Sequence, residues 1–238
     1  AWFHFTADLP SNCRDGDPLV VRIDINGELC IVDDAGVPVR GLTSVKSTYD
    51  PRLGSPAKTV YRLPSSVIAS GRVDLWADAA FNDLFGVVWD QGRVVLAEVA
   101  RCREDVRDLY YDLETLKHYV EAGAVPEAHA AKLNEDLATV ARELDCASRD
   151  SVAAARARLA PWFQSNEKPA LVVHCTGHAH MDLAWLWPIR ETIRKGARTF
   201  ATVLYNLERF PDYLYGASQP QLYAWMKQHY PELYQKIR

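Results

Sequence analysis

The apolar residues of this chain change their spacing twice, and those two changes limit what it can fold into. Through about residue 102 they alternate by twos. Residues 20–25 (Val-Val-Arg-Ile-Asp-Ile) do so cleanly, Asn26-Gly27 supplies the pair that a type I′ turn requires, and residues 29–32 return as a second apolar run. The spacing predicts a hairpin there, with a second turn at Asp33-Asp34-Ala35-Gly36. Further strands are expected at residues 59–63, 73–77, 85–88 and 93–99, with turns at Asn82-Asp83 and Asp90-Gln91-Gly92. Short strands at this spacing make residues 1–102 an antiparallel β-sandwich, jelly-roll-like. Trp2, Trp76 and Trp89 read as packing residues, in the core or against another domain.

From residue 103 to about 166 the period becomes helical. Val106, Leu109, Leu113, Leu116 and Val120 recur at steps of three and four, and Gly123 follows as a stop. Pro126 opens a second helix with Ala130, Leu133, Leu137, Val140 and Leu144 on one face. Ser148 caps a third, with Val152, Ala155 and Leu159 buried. Short connections favour antiparallel packing, and the charges at Glu104, Asp105 and Arg107 read as a solvated face.

The second change follows the polar break Ser165-Asn166-Glu167-Lys168-Pro169. Leu171, Val172 and Val173 form a short apolar run of the kind buried on both faces of a sheet, in a strand over residues 171–175. A helix from about Pro188 to Phe210 buries Ile193, Ala197, Phe200, Leu204 and Leu207, and Pro211-Asp212 ends it. Residues 213–217 read as another strand, and a further helix starts near Gln221. Strand, helix, strand, helix is the start of a parallel α/β domain over residues 167–238. A closed (β/α) barrel takes about eight such units, so this one is incomplete.

The first strand of that domain turns polar as it ends. His178, His180 and Asp182 lie two apart, so in an extended chain they project to one face. Two imidazoles and a carboxylate suit Zn²⁺ or a similar divalent ion. Trp185 and Trp187 follow at once, offering indole faces on which the C–H face of a sugar can stack.

The run Gly177-His178-Ala179-His180-Met181-Asp182-Leu183-Ala184-Trp185-Leu186-Trp187-Pro188, with Arg190-Glu191-Thr192 and Arg198-Thr199-Phe200 after it, resembles the start of the catalytic domain of α-mannosidases of glycoside hydrolase family 38, in the cytosolic and bacterial branch. Trp225-Met226-Lys227-Gln228-His229-Tyr230-Pro231-Glu232-Leu233 continues the likeness, and the β segment follows it more loosely, including Gly27-Glu28. The resemblance implies that His180 and Asp182 are metal ligands, that Trp185 lines the sugar subsite, and that His178 is a packing or supporting residue. It implies Zn²⁺, with Co²⁺ as another fitting ion, and retaining hydrolysis of terminal α-mannosyl residues of oligosaccharides. The remaining ligands (an Asp and a His) and the nucleophilic Asp would lie beyond Arg238, so the chain alone would be inactive.

Two other readings of the motif stay open here. In a metal-dependent amidohydrolase the ligands would be His178 and His180, with Asp182 supporting them. In a non-catalytic carbohydrate-binding β module the sheets would show a row of exposed aromatics. His174 reads as buried structure, and Arg190 and Glu191 either line the site or pair with each other.

Composition excludes several classes. A net charge of −4 gives no basic footprint for nucleic acid. No apolar run is long enough to span a bilayer, so no membrane partner is expected. Five scattered cysteines without Cys-x-x-Cys spacing read as reduced thiols of a cytoplasmic protein. Unpaired strand edges in the incomplete α/β domain lead to the expectation of a homo-oligomer.

Overall fold

The computed structural model describes residues 1–13, 16–45, 57–82, 93–164 and 172–238. They form two compact units, residues 1–100 with 174–238, and residues 101–173. The helical segment is therefore a unit of its own, close to where the apolar period changes. The β segment and the C-terminal segment, expected as separate domains, share the other. The strand at residues 85–88, the turn at 90–92, Trp89, Leu171 and the polar break at 165–169 lie outside the described residues.

In the first unit the strands are β1 (Trp2–Asp8), β2 (Leu19–Asp24), β3 (Glu28–Val32), β4 (Pro38–Thr43), β5 (Val60–Arg62), β6 (Arg72–Ala80) and β7 (Leu96–Arg101), with a short helix α1 (Ser65–Ser70) before β6. One sheet has the order β1-β6-β3-β4 and the other β5-β2-β7. Inward residues of both, among them Val21, Ile23, Leu29, Ile31, Leu75 and Ala77, form a common core. This is the antiparallel sandwich expected from the period-two pattern.

The hairpin expected at Asn26-Gly27 does not form. β2 pairs with β5, whereas β3 pairs with β4 and β6. Half of the turn chemistry is present: Asn26 takes a positive φ of 55°, and its N–H donates to Asp24 Oδ1 at 2.7 Å, but Gly27 lacks the positive φ that a type I′ turn also needs. The preceding Ile25 is buried in the core, so the chain crosses from one sheet to the other instead of folding back. The turn at residues 33–36 does join two neighbours, β3 and β4, with Asp33 Oδ1 accepting from the N–H groups of Ala35 and Val37.

Trp2 and Trp76 are not core residues. They stand 60 % and 47 % exposed, with the His4 ring stacked on Trp76 at 4.2 Å between centroids. The pleat explains this, since His4 pairs with Trp76 across β1 and β6 on the face turned away from the core.

The other face of β3 is covered by helix α5 (Ile189–Arg209), which packs mainly on β4. The close approach depends on Gly41. A Cβ there would lie 2.9 Å from both the Arg198 carbonyl oxygen and Thr202 Oγ1, and the Gly41 N–H already donates to Thr202 Oγ1 at 3.1 Å. Gly41→Ala is expected to cost about 1–3 kcal/mol through overpacking, seen as a lower urea midpoint. An unchanged midpoint would mean that α5 can move away freely. Of the expected stripe on α5, Ala197 and Phe200 are buried, Ile193 and Leu204 partly so, and Leu207 is exposed, because the covering surface ends before the last turn. Helices α6 (Pro220–His229) and α7 (Pro231–Ile237) complete a second core around Phe200, Leu222, Met226 and Leu233.

The two strands expected at residues 171–175 and 213–217 are reduced to a single parallel bridge, Gly177 with Tyr215. Val172 and Val173 are exposed, not buried on two faces. The direction of pairing is that of a parallel sheet. Two short strands with no third neighbour among the described residues do not hold a regular ladder.

In the second unit α2 (Glu104–Glu121), α3 (Glu127–Glu143) and α4 (Arg149–Leu159) share a core of Leu109, Leu116, Leu133, Val140, Val152, Ala155 and Leu159. Helix α4 packs on both others. Ser148 Oγ accepts from the Ser151 N–H at 3.2 Å, the expected cap. Glu104, Asp105 and Arg107 form short-range ion pairs, Asp105 with Arg103 and Arg107 with Glu104.

Candidate active site

Beyond the Gly177–Tyr215 bridge the chain runs on in irregular form to Pro188, yet it keeps the alternation of a strand. The odd residues are tied to the protein. Gly177 donates to the Leu214 carbonyl at 2.7 Å and accepts from the Gly216 N–H at 2.9 Å. The Ala179 backbone hydrogen-bonds the Tyr215 hydroxyl. The Met181 side chain is buried, and its carbonyl accepts from Gln219 Nε2 at 2.6 Å. The Leu183 carbonyl accepts from Thr192 Oγ1 at 3.0 Å.

The even residues His178, His180 and Asp182 all line one cleft of about 740 Å³. It is bounded by the end of β4, by α5, and by Tyr213 and Tyr215. His180 Nε2 lies 3.5 Å from Asp182 Oδ1, with the two side chains 84 % and 40 % exposed. That separation is long for a hydrogen bond. It matches one edge of a metal tetrahedron, since two donors each about 2.1 Å from an ion lie about 3.4 Å apart. The pair therefore fits as two ligands of a zinc-type site. Among the described residues no cluster of three or more His, Cys, Asp or Glu side chains could hold a metal, so His178 does not join them.

Trp185, 53 % exposed, and Trp187 stand in the same cleft. Trp187 is pinned at its Nε1, which donates to Thr192 Oγ1 at 2.9 Å, and Lys195 Nζ sits 5.0 Å from its ring centre. Trp185 is the indole left open to a ligand.

The opposite wall is a buried ion network between β3, β6 and α5. Arg198 Nη2 donates to Glu28 Oε2 and to Glu191 Oε1, both at 2.6 Å, and Lys195 Nζ donates to Glu28 Oε2 at 2.9 Å. Arg194 bonds Glu191 Oε2 and both oxygens of Asp78. Burial pushes the Glu28 carboxyl up, but Arg198 and Lys195 beside it more than reverse this and bring its pKa to about 2. Glu28 is thus a fixed anion and no proton donor near neutral pH.

Two expectations need correction. Glu191 does not pair with Arg190; it is buried against Arg194 and Arg198, while Arg190 is exposed, because only every third or fourth residue of α5 faces the sheet. His174 is exposed, since the strand meant to bury it is not formed. The network itself was missed by sequence reasoning. Its signal was available in α5, where Glu191, Arg194 and Arg198 interrupt a helix face that otherwise reads as buried.

Residues 170–238 match the glycosyl hydrolases family 38 N-terminal domain, and residues 1–117 match the alpha-mannosidase jelly roll domain. The whole chain aligns with Alpha-mannosidase 2C1 of Homo sapiens at 30 % identity and with that of Mus musculus at 28 %, covering 23 % of each. It aligns over its full length with Alpha-mannosidase G of Dictyostelium discoideum at 25 % identity, covering 22 % of that protein. The chain thus spans less than a quarter of the length of these curated relatives.

Proposed function

Because this chain belongs to glycosyl hydrolase family 38, we propose that it forms the N-terminal part of a metal-dependent, retaining α-mannosidase acting on terminal α-mannosyl residues of oligosaccharides. The observation that carries this reading is the His180–Asp182 donor pair, facing a cleft beside the open indole of Trp185. His180 and Asp182 would hold Zn²⁺ or Co²⁺, which when bound supplies positive charge to vicinal hydroxyls of the sugar and to the developing transition state. Trp185 offers its face to the pyranose ring and excludes water from one side of it. The cytoplasmic location and homo-oligomeric state expected from sequence belong to the same proposal. So does the idea that a second copy or another segment covers the exposed Leu186 and Leu214.

The chain by itself is proposed to be inactive. Retaining hydrolysis takes two carboxyl groups about 5–5.5 Å apart astride the bond, one attacking and one protonating. Among the described residues, Asp182 and Glu28 are the carboxylates lining this cleft. The first is assigned to the metal, and the second is locked as an anion between Lys195 and Arg198.

A mannoside assay on the full-length enzyme tests the reading. Chelation should abolish turnover, and Zn²⁺ or Co²⁺ should restore it; full turnover after chelation would end the metal proposal. Trp185→Ala should weaken sugar binding by about 1–3 kcal/mol, by analogy with other aromatic contacts, and leave metal content unchanged. Wild-type KM and kcat in that variant would remove Trp185 from the subsite. In the same assay the isolated 238-residue chain should show no turnover.

A further inference from the structure

His180 and Asp182 sit on backbone that is neither helix nor regular strand. Ligands on such a segment hold their geometry only if something other than a sheet ladder fixes the peptides between them. Here the carbonyls of the two residues that flank Asp182 are each gripped by a side chain from elsewhere. Gln219 holds the Met181 carbonyl at 2.6 Å, and Thr192 holds the Leu183 carbonyl at 3.0 Å.

We infer that Thr192 and Gln219 are positioning residues for the His180–Asp182 pair, clamping the segment on both sides of Asp182 so that its carboxylate stays beside His180. The inference rests on the metal reading above.

Neither side chain is serving its own helix. A threonine in the first turns of a helix commonly bonds a carbonyl one turn back. Thr192 is fully buried on α5, and its hydroxyl instead donates to Leu183 and accepts from Trp187 Nε1. One hydroxyl therefore joins the Leu183 carbonyl, one residue past Asp182, to the Trp187 indole near the end of the motif. Gln219 occupies the N-cap position of α6 but makes no side-chain cap bond. Its amide reaches across to residue 181, and because a carbonyl only accepts, the amide nitrogen must face it. The residues on either side of Asp182 are thus tied through their carbonyls to two different helices, while the side chains of His180 and Asp182 remain free to face the cleft.

The test uses the full-length enzyme with Co²⁺ as the probe, its affinity measured by competition with a chelator and read in the visible spectrum. Thermal unfolding is followed in parallel. Thr192→Val keeps the volume and loses the hydroxyl, Thr192→Ser keeps the hydroxyl, and Gln219→Met removes the donor. The valine and methionine variants are each expected to bind Co²⁺ about 10–100-fold more weakly, with Thr192→Ser near wild type. If both bind Co²⁺ as wild type does, even with a lowered melting temperature, the contacts are only packing and the inference falls. Should Thr192→Val fail to fold, Gln219→Met, at a partly exposed position, decides alone. A wild-type enzyme that takes up no Co²⁺ overturns the metal reading and this inference with it, an outcome distinct from wild-type and variants binding equally.

Discussion

Asp182→Asn in the full-length enzyme is expected to lower metal affinity by at least about 100-fold, beyond what the loss of a supporting residue costs, and to remove nearly all turnover. The substitution keeps the size of the side chain and deletes the negative charge that sits 3.5 Å from His180 Nε2. His180→Ala should behave alike, because either change leaves one donor where the cleft now offers two. His178→Ala should retain the metal, since His178 shares the cleft but belongs to no donor cluster. Metal analysis of the three purified variants separates the readings. Equal loss in His178→Ala and His180→Ala would revive the two-histidine ligand set of an amidohydrolase. Wild-type metal content in Asp182→Asn would end the ligand assignment altogether.

Glu28→Gln is expected to be the most destabilising single change away from that pair, by about 3–5 kcal/mol, because it takes an anion from a buried cation. For a unit of this size that is on the order of 10 °C in melting temperature. Among the described residues, Arg198 would keep only Glu191 as a charged partner, and its buried Nη1 already has no acceptor there. The same carboxylate makes a pH prediction. Its folded pKa of about 2 lies below the ordinary 4.5, so its stabilisation is complete above that ordinary value and is lost as the pH falls toward 2. A shift of this size corresponds to about 3 kcal/mol, in line with the mutational figure. Urea unfolding between pH 7 and pH 3 should therefore show wild type and Glu28→Gln converging below about pH 4.5. A gap that stays constant over this range would mean that the Glu28 charge contributes little and that the loss comes from packing.

The helices were legible from sequence because their evidence is local. Steps of three and four from Val106, the cap at Ser148 and the prolines at 126, 188 and 211 lie within a few residues of the elements they define. His180, Asp182 and Trp185 were legible for the same reason, since one short motif carries all three. Pairing was not. Asn26 takes the positive φ expected of it but Gly27 does not, and the partner of β2 depends on Ile25 entering the core and on β5 and β7 from far along the chain. The aromatic content of β1 and β6 suggested burial, yet which face of a strand meets the core follows from register, and register placed Trp2 and Trp76 outside.

The sequence by itself determined where the long helices α2 to α5 begin and stop, that the first hundred residues make mainly sheets, and which side chains of the motif share a face. Each of these follows from backbone geometry acting over a few residues. Only the tertiary structure decided that Glu28 meets Arg198 across 170 positions of chain, that Gly41 admits α5 onto the sheet, and that Thr192 and Gln219 grip the carbonyls of the residues beside Asp182. Charges, close approaches and hydrogen bonds between distant segments arise only when the chain is packed. A residue's neighbours along the sequence say little about the partner that burial will require of it.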